Sequence, residues 1–422
     1  MRAFVLGFLL TVVVSTACAD VGAASAFVQV RDRQFVAPGG EVLKLRGTSL
    51  GTWLLPEGYM LKFRDKKTSG PWQVQAMVAE LIGDQAAAHF WRAWWDNFIT
   101  RDDIQFLKRA GFNHVRVPFN WRLFVTQRPP YRMEGPGWEL LDRAVNWCRE
   151  AGLYVLLDMH GAPGGQTGTQ IDDSRGYPFL FLDEESQQLT VDLWREIARR
   201  YRDETIVLGY EPLNEPIGHM FDTERLNPRL APLYQRIVAA IREVDPHHII
   251  FLGGAQWNTN FEILPPPTDP NIAYTFHAYW MPKTDVSAIE RYLRIAWEHK
   301  VPLHLGESGE NTDEWVASFR RTLEENGIGW CFWSYKRMAG TKHPHSSILS
   351  IPDPAGWDKI VDYAMGPRLN PEEIRQHRPP LEQAAASLRG LLENIRFGKN
   401  TLNPGYLRAL GLDAAAAAKP AP

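Results

Sequence analysis

Between residues 43 and 335, short apolar runs alternate with longer stretches whose apolar positions recur every three or four residues. The short runs cover 43–50, 113–118, 154–160, 206–211, 248–253, 272–277, 303–307 and 329–335. Their length and their β-branched and aromatic content predict strands. The longer stretches, 102–110, 138–151, 184–201, 229–244, 286–300 and 312–326, predict helices. In 138–151, Leu141, Val145 and Cys148 form one apolar stripe, with Arg143, Arg149 and Glu150 between them. Ala110-Gly111 and Ala151-Gly152 are helix stops just before the next strand. Eight strands with helices between them predict an α/β chain folded as a single (β/α)8 TIM barrel rather than an open sheet. No Gly-x-Gly-x-x-Gly turn follows the first strand, which removes the usual dinucleotide fold. Gly161-Ala162-Pro163-Gly164-Gly165 lacks the lysine of a phosphate-binding loop and reads as a flexible wall of a cleft.

Three segments lie outside this alternation. Residues 27–42 predict a hairpin turned at Pro38-Gly39-Gly40 and plugging the bottom of the barrel. Residues 53–100 form a long aromatic excursion after the first strand, a length that usually builds a wall or lid of a site. Residues 367–422 are a C-terminal extension, helical around 381–397 and biased to Ala and Pro over 414–422, an end read as disordered. Residues 27–366 are then one catalytic-size domain, with no internal repeat.

The first 26 residues read as an export signal. Arg2 is followed by an apolar run over 3–14, too short to span a bilayer, and Ala24-Ser25-Ala26 is a cleavage site leaving Phe27 first. The expected location is secreted or periplasmic. A lipid anchor on Cys18 is the competing reading. Cys148 and Cys331 make no disulfide framework and read as small buried apolar residues. The net charge of −3 shows no basic stripe, so no nucleic-acid partner is implied. The 16 Trp and 13 Tyr serve two purposes, core filling and stacking on the apolar faces of sugar rings.

Polar residues gather at the predicted strand ends: Arg116, His160, Asn214, Glu215, His277, Tyr279, Glu307 and Trp333. Strand C-termini share one face of a barrel, the face that carries chemistry. Two carboxylates there, Glu215 and Glu307, can flank one glycosidic bond. Taken singly, each residue has a plain structural explanation, such as a satisfied histidine or a core aromatic. The ordered set is the signal. His343-Pro344-His345 lacks a third ligand at useful spacing, and His247-His248 reads as structural, so neither metal nor cofactor is expected.

Val115-Arg116-Val117-Pro118, Leu157-Asp158-Met159-His160, Leu213-Asn214-Glu215-Pro216, Phe276-His277-Ala278-Tyr279, Gly306-Glu307 and Phe332-Trp333-Ser334 together resemble the family-5 glycoside hydrolases, cellulase-like retaining enzymes. The resemblance spans the whole barrel. It implies Glu215 as acid/base and Glu307 as nucleophile, the latter kept ionised by Arg116 and Tyr279. It further implies Asn214 on the sugar 2-hydroxyl, His160 and His277 as supports, and Trp333 as the floor of a subsite. Leu45-Arg46-Gly47-Thr48-Ser49-Leu50-Gly51-Thr52-Trp53-Leu54 resembles the exo-β-1,3-glucanase-like branch, departing at Ser49 where that branch has Asn. Glu57 and the aromatics Trp53, Tyr59, Trp121, Trp257 and Trp280 are candidates for lining subsites or for wall packing. The implied substrate is a β-linked oligo- or polysaccharide, or a glucoside, handled by a monomer without a stable membrane span. A transglycosylase using the same residues and a silent glycan-binding barrel stay open as alternatives.

Overall fold

The computed structural model of the protein describes residues 26–64, 68–126, 128–341 and 347–417. The signal-like segment with Arg2 and Cys18, the His343-Pro344-His345 motif and residues 418–422 lie outside the described residues.

The eight expected strands close into a parallel barrel. They are β3 (Arg46–Ser49), β4 (His114–Asn120), β5 (Tyr154–Gly161), β6 (Val207–Glu211), β7 (Ile249–Gly253), β8 (Ile272–His277), β9 (Leu303–Glu307) and β10 (Gly329–Phe332). β10 pairs with β3, so the sheet has no edge. Every residue of β4, β6, β7, β8, β9 and β10 is buried. That explains why these strands read as continuous apolar runs with little alternation.

The flanking helices are α3 (Arg101–Ala110), α4 (Gly137–Ala151), α5 (Glu184–Tyr201), α6 (Thr223–Arg242), α8 (Glu290–His299) and α9 (Asp313–Glu325). The helix expected from residue 229 begins earlier, at Thr223, capped by the Asp222 carboxylate and carrying Pro228 and Pro232 inside it. Two ladder bonds are forgone, and burial of Leu226, Leu230 and Leu233 against the sheet offsets them. The helix expected over 286–300 is a 3-10 turn at Val286–Ala288 followed by α8. After β7, the single turn α7 (Ala255–Asn258) is not right-handed, since Gln256 and Trp257 hold φ of 50° and 61°.

The N-terminal hairpin is β1 (Gln29–Arg31) with β2 (Gln34–Val36). Its turn is Asp32-Arg33, both at positive φ, and not Pro38-Gly39-Gly40. The Pro-Gly-Gly segment makes the next turn instead, where the Gly40 amide donates to the Ala37 carbonyl at 2.8 Å. Val28 and Phe35 pack with Leu45, Leu156, Leu208, Ile249, Phe251 and Ala273 in a small core separate from the main one. The hairpin plugs the end of the barrel where the strands begin.

Residues 53–100 are mostly two outer helices, α1 (Pro71–Ile82) and α2 (Asp84–Phe98), rather than a lid. The C-terminal segment holds α10 (Trp357–Met365), α11 (Pro371–His377), α12 (Leu381–Asn394), α13 (Pro404–Ala409) and α14 (Ala414–Ala417). With β11 (Lys336–Met338), β12 (Leu349–Ile351) and β13 (Thr401–Leu402) it straps the barrel flank. The part of the expected disordered end that is described, 414–417, is therefore helical.

One buried cation ties the strap to the barrel. Lys336 Nζ meets Asp103 Oδ1 at 2.5 Å and donates to the carbonyls of Phe98 and Ile395 at 2.8 and 3.2 Å. Both partners of the ion pair are fully buried. Lys336→Met leaves Asp103 as a buried charge with only Thr100 and Tyr335 around it. It is expected to destabilise the fold by roughly 3–5 kcal/mol, read as a lower denaturant midpoint with an unchanged slope.

Candidate active site

The sequence places Glu215 just after β6 and Glu307 at the end of β9, across the barrel mouth from each other. Glu215 has φ of 45° and Ile217 of 58°, so the chain turns sharply to present the carboxylate. The β5–α5 loop holds that turn. Gln166 Nε2 donates to the carbonyls of His160 and Asn214 at 2.7 and 2.8 Å, and Thr167 Oγ1 donates to the Glu215 carbonyl at 2.8 Å. Asp172 in turn accepts the backbone amides of Thr167, Gly168 and Ser174. Gln166, Thr167 and Asp172 carry no motif and were not singled out from sequence.

Arg116, fully buried on β4, is the hub. Its Nε and Nη2 grip Glu211 at 2.7 and 2.9 Å, and Nη2 also reaches Asp158 at 3.0 Å and Asn214 Oδ1 at 2.8 Å. Nη1 donates to Glu307 Oε1 at 2.5 Å and to Ser49 Oγ at 3.3 Å. Tyr279 donates to the other Glu307 oxygen at 2.9 Å. Glu307 thus accepts two hydrogen bonds suited to its ionised form.

The Asn214 amide, oriented by Arg116, points Nδ2 at His160 Nε2, 3.2 Å away. His160 therefore carries its hydrogen on Nδ1 and donates it to Asp158 at 2.8 Å. Burial lowers the pKa of both His160 and His277 to about 4, so both are neutral at neutral pH. His277 Nδ1 lies 2.8 Å from Glu215 Oε1 and 3.7 Å from Glu307 Oε2. Burial pushes Glu215 up to about 7. Glu215, His277 and Glu307 present one ligand atom each within 4.8 Å of one another. Such a triangle could hold a cation, but Glu307 is already bonded by Arg116 and Tyr279, and Glu215 by His277.

Trp333 stacks on His160 with planes 11° apart, and its Nε1 donates to Tyr59 Oη at 2.7 Å. A Cβ on Gly51 would fall 2.3 Å from the Trp333 ring, so only glycine admits the indole there.

These side chains line a cleft of about 660 Å³ together with Glu57, Thr169, Gln170, Ile171, Met220, Trp257, Thr259, Trp280 and Glu310. Arg116 and Asn214 sit beneath it. Of the five candidate aromatics, Tyr59, Trp257 and Trp280 line the cleft. Trp53 does not: it is fully buried against α2, its Nε1 donating to the Trp95 carbonyl at 2.9 Å. Trp121 does not either, lining a separate hollow with Arg122, Gly165 and Phe179 behind the β5–α5 loop. The periodicity of the excursion gave no way to tell its core face from its cleft face. Glu310 was not foreseen. It pairs with Arg337 at 3.0 Å, and its carbonyl accepts from Trp280 Nε1 at 3.2 Å. Glu57 is buried in the wall, and its carboxyl is pushed well above the usual range by burial and by the nearby charges of Glu307, Glu310 and Glu215.

Trp257 reaches the cleft from a left-handed turn in which Gln256, Trp257 and Asn258 hold φ of 50°, 61° and 58°. For non-glycine residues this conformation costs roughly 1–2 kcal/mol each. A reciprocal amide pair offsets it: Gln256 Nε2 donates to Asn227 Oδ1 at 2.8 Å, and Asn227 Nδ2 returns a bond at 3.2 Å.

A closed parallel barrel with paired carboxylates at the strand C-termini defines a class of hydrolase-like (β/α)8 proteins. Residues 73–339 match the cellulase family, glycosyl hydrolase family 5, and the chain belongs to that family. It is 32% identical over 286 residues to a beta-xylosidase of Phanerodontia chrysosporium, covering 65% of this chain and 58% of that one. It is 35% identical over 213 residues to a probable glucan 1,3-beta-glucosidase A of Aspergillus fumigatus, covering 49% of each. It is 34% identical over 310 residues to endoglucanase C of Acetivibrio thermocellus, covering 59% of this chain and 87% of that one. The chain thus spans about half to three fifths of the length of the first two relatives.

The Glu215 carboxyl is expected to hold its proton at pH 6 and lose it as pH rises through about 7. Difference infrared titration of the protein against Glu215→Gln checks this. A carboxyl band lost in the variant and already ionised at pH 5 contradicts it.

Proposed function

We propose that the protein is a secreted retaining glycoside hydrolase that cleaves β-linked glucans or β-glucosides by double displacement. The observation that carries this reading is the approach of Glu215 and Glu307 oxygens to within 4.8 Å across the cleft. Retaining enzymes hold their carboxyl groups about 5–5.5 Å apart, whereas inverting ones leave about 6.5–9.5 Å for a water. Family membership and the names of the similar proteins support the substrate class.

Glu307, which accepts from Arg116 and Tyr279, attacks the anomeric carbon. Glu215, protonated because burial raises its pKa, gives its proton to the departing oxygen. The sugar is then an ester on Glu307. Glu215, now a carboxylate, takes a proton from the incoming water, whose oxygen displaces Glu307. Neutral His277 donates its Nδ1 hydrogen to Glu215 Oε1, which leaves the other Glu215 oxygen to exchange the proton with the departing oxygen and then the water. Asn214 meets the sugar 2-hydroxyl, and Trp333 floors the sugar bound before the scissile bond.

In this reading residues 1–26 are an export signal, residues 27–366 the catalytic unit, and the enzyme works as a monomer. No helix among the described residues is long and apolar enough to cross a membrane.

Purified mature chain, screened on β-1,3-, β-1,4- and mixed-linkage glucans and on aryl β-glucosides, should release sugar with retained anomeric configuration. Glu307→Gln should abolish turnover. Glu215→Ala should lower kcat/KM on unactivated substrates by roughly 10²–10⁴-fold, with azide restoring part of the rate on an aryl glucoside. Full activity in either variant, or inverted product seen by proton NMR, defeats the proposal. The rate should fall as pH rises through about 7, when Glu215 loses its proton. An alkaline limb surviving unchanged in Glu215→Gln would assign it elsewhere.

A further inference from the structure

The two histidines beside the paired glutamates are not served alike. His160 donates from Nδ1 to Asp158 at 2.8 Å, and its Nε2 lies 3.2 Å from the Asn214 amide nitrogen. His277 has Glu215 Oε1 at 2.8 Å from Nδ1, but its buried Nε2 meets no donor among the described residues. A neutral imidazole that gives its hydrogen from Nδ1 keeps a lone pair on Nε2. What holds the hydrogen on Nδ1 of His277 is therefore a separate question from what receives it.

Thr275, two positions earlier on β8, is fully buried, and its Oγ1 also has no partner among the described residues. Both atoms face one spot. β8 pairs Phe276 with Leu305 and then His277 with Glu307, so Gly306 is left over as a bulge in β9. A Cβ built on Gly306 would fall 2.3 Å from Thr275 Oγ1 and 3.0 Å from His277 Nε2. The two atoms thus border a place where β9 carries no side chain, at a separation that one bridging water spans. On its other flank Thr275 pairs with Gly253 of β7. The amide of Asn258 fills the position of a Gly253 side chain, its Oδ1 falling 2.1 Å from the Cβ that glycine lacks. That amide is fully buried, and neither of its polar atoms has a partner among the described residues.

A hydroxyl, an amide and a ring nitrogen buried without partners cost free energy that apolar side chains of the same shape would not. Such groups, gathered on neighbouring strands, are what an internal water satisfies with its about three hydrogen bonds. We propose that one buried water beneath the cleft bridges Thr275 Oγ1 and His277 Nε2, which makes Thr275 a positioning residue for Glu215. The water accepts from the Thr275 hydroxyl and donates to Nε2. The imidazole hydrogen is then fixed on Nδ1, directed at Glu215 Oε1. Asn258 closes the site on the β7 side and takes the second hydrogen of the water on Oδ1. The inference rests on the hydrolase reading and names a residue on which its acid/base depends.

A high-resolution crystal structure of the purified protein reads the site without an assay or a variant. The expected result is an ordered water within about 3.2 Å of both atoms. No water there, or Thr275 Oγ1 bonded to another group, overturns the inference whatever the enzyme cleaves. Kinetics on the substrate turned over best read the consequence. Thr275→Val keeps the shape and removes the hydroxyl. It should lower kcat by about two- to tenfold, the worth of one neutral hydrogen bond, with KM unchanged because Thr275 does not line the cleft. Thr275→Ser restores the hydroxyl without the methyl and should recover most of that loss. Parent-like kcat in Thr275→Val overturns the positioning role, as does the opposite order of the two variants, which would mark the methyl as the group that matters. In each of these cases the hydrolase reading survives. If no glucan or glucoside is cleaved, that reading falls, and the crystallographic water is judged by itself.

Discussion

Arg116 sets the terms for everything around it. It is a guanidinium with no exposed surface, in contact with Asp158, Glu211 and Glu307. Arginine cannot shed its proton, so its burial is tolerable only with anions at hydrogen-bond distance. Three strands supply them, and Ser49 on a fourth fills the remaining approach. Any shift of one strand end against another would break a short charge-assisted bond inside a dry core. The same contacts fix the orientation of Asn214 and one oxygen of Glu307. Thus the group that holds the barrel mouth together also places the site.

One cation among three carboxyls leaves an excess of negative charge, and the protein answers with protons. Asp158 is pushed up to about 7 by burial, and Glu211 is raised for the same reason. Asp158 Oδ1 has no hydrogen-bond partner, so nothing on that oxygen favours the ionised form. Glu215 and Glu57 respond to burial in the same way. Glu307 is the carboxylate that Arg116 and Tyr279 both bond directly. Glu215 and Glu307 therefore stand in different surroundings, the first bonded by a neutral imidazole and the second by a guanidinium and a phenol.

The barrel was legible because each of its strands is buried on both faces and each helix on one stripe, so burial wrote itself into the sequence. The strand-end residues were legible because strand ends converge. Other features left no local trace. Asp32-Arg33 makes the hairpin turn although Pro38-Gly39-Gly40 is the stronger turn signal, since pairing β1 with β2 over the small lower core outweighs the cost of αL for an arginine. Trp53 and Tyr59 lie six positions apart in one excursion, yet one packs under α2 and the other enters the cleft. Gln256 and Trp257 have no propensity for a left-handed turn. It exists because Asn227, on a helix some thirty positions earlier, completes an amide pair. Such features depend on partners distant in sequence, and no window of residues contains them.

The C-terminal strap belongs to the site as much as to the surface. Tyr406 on α13 donates to the Trp333 carbonyl at 3.2 Å, and Trp333 in turn lies on His160. A Cβ on Gly309 would come within 2.8 Å of the Tyr406 hydroxyl, so that side chain also crowds the loop carrying Glu310. Lys336, three residues past Trp333, is anchored at once to α3 and to the end of α12. Trp333 is therefore pinned from outside the barrel as well as from within. A strap that were merely appended to a self-sufficient barrel would not need a fully buried ammonium and a fully buried phenol aimed at the segment that bears Trp333. Their presence there means that the stability of the flank and the position of Trp333 are set by the same contacts.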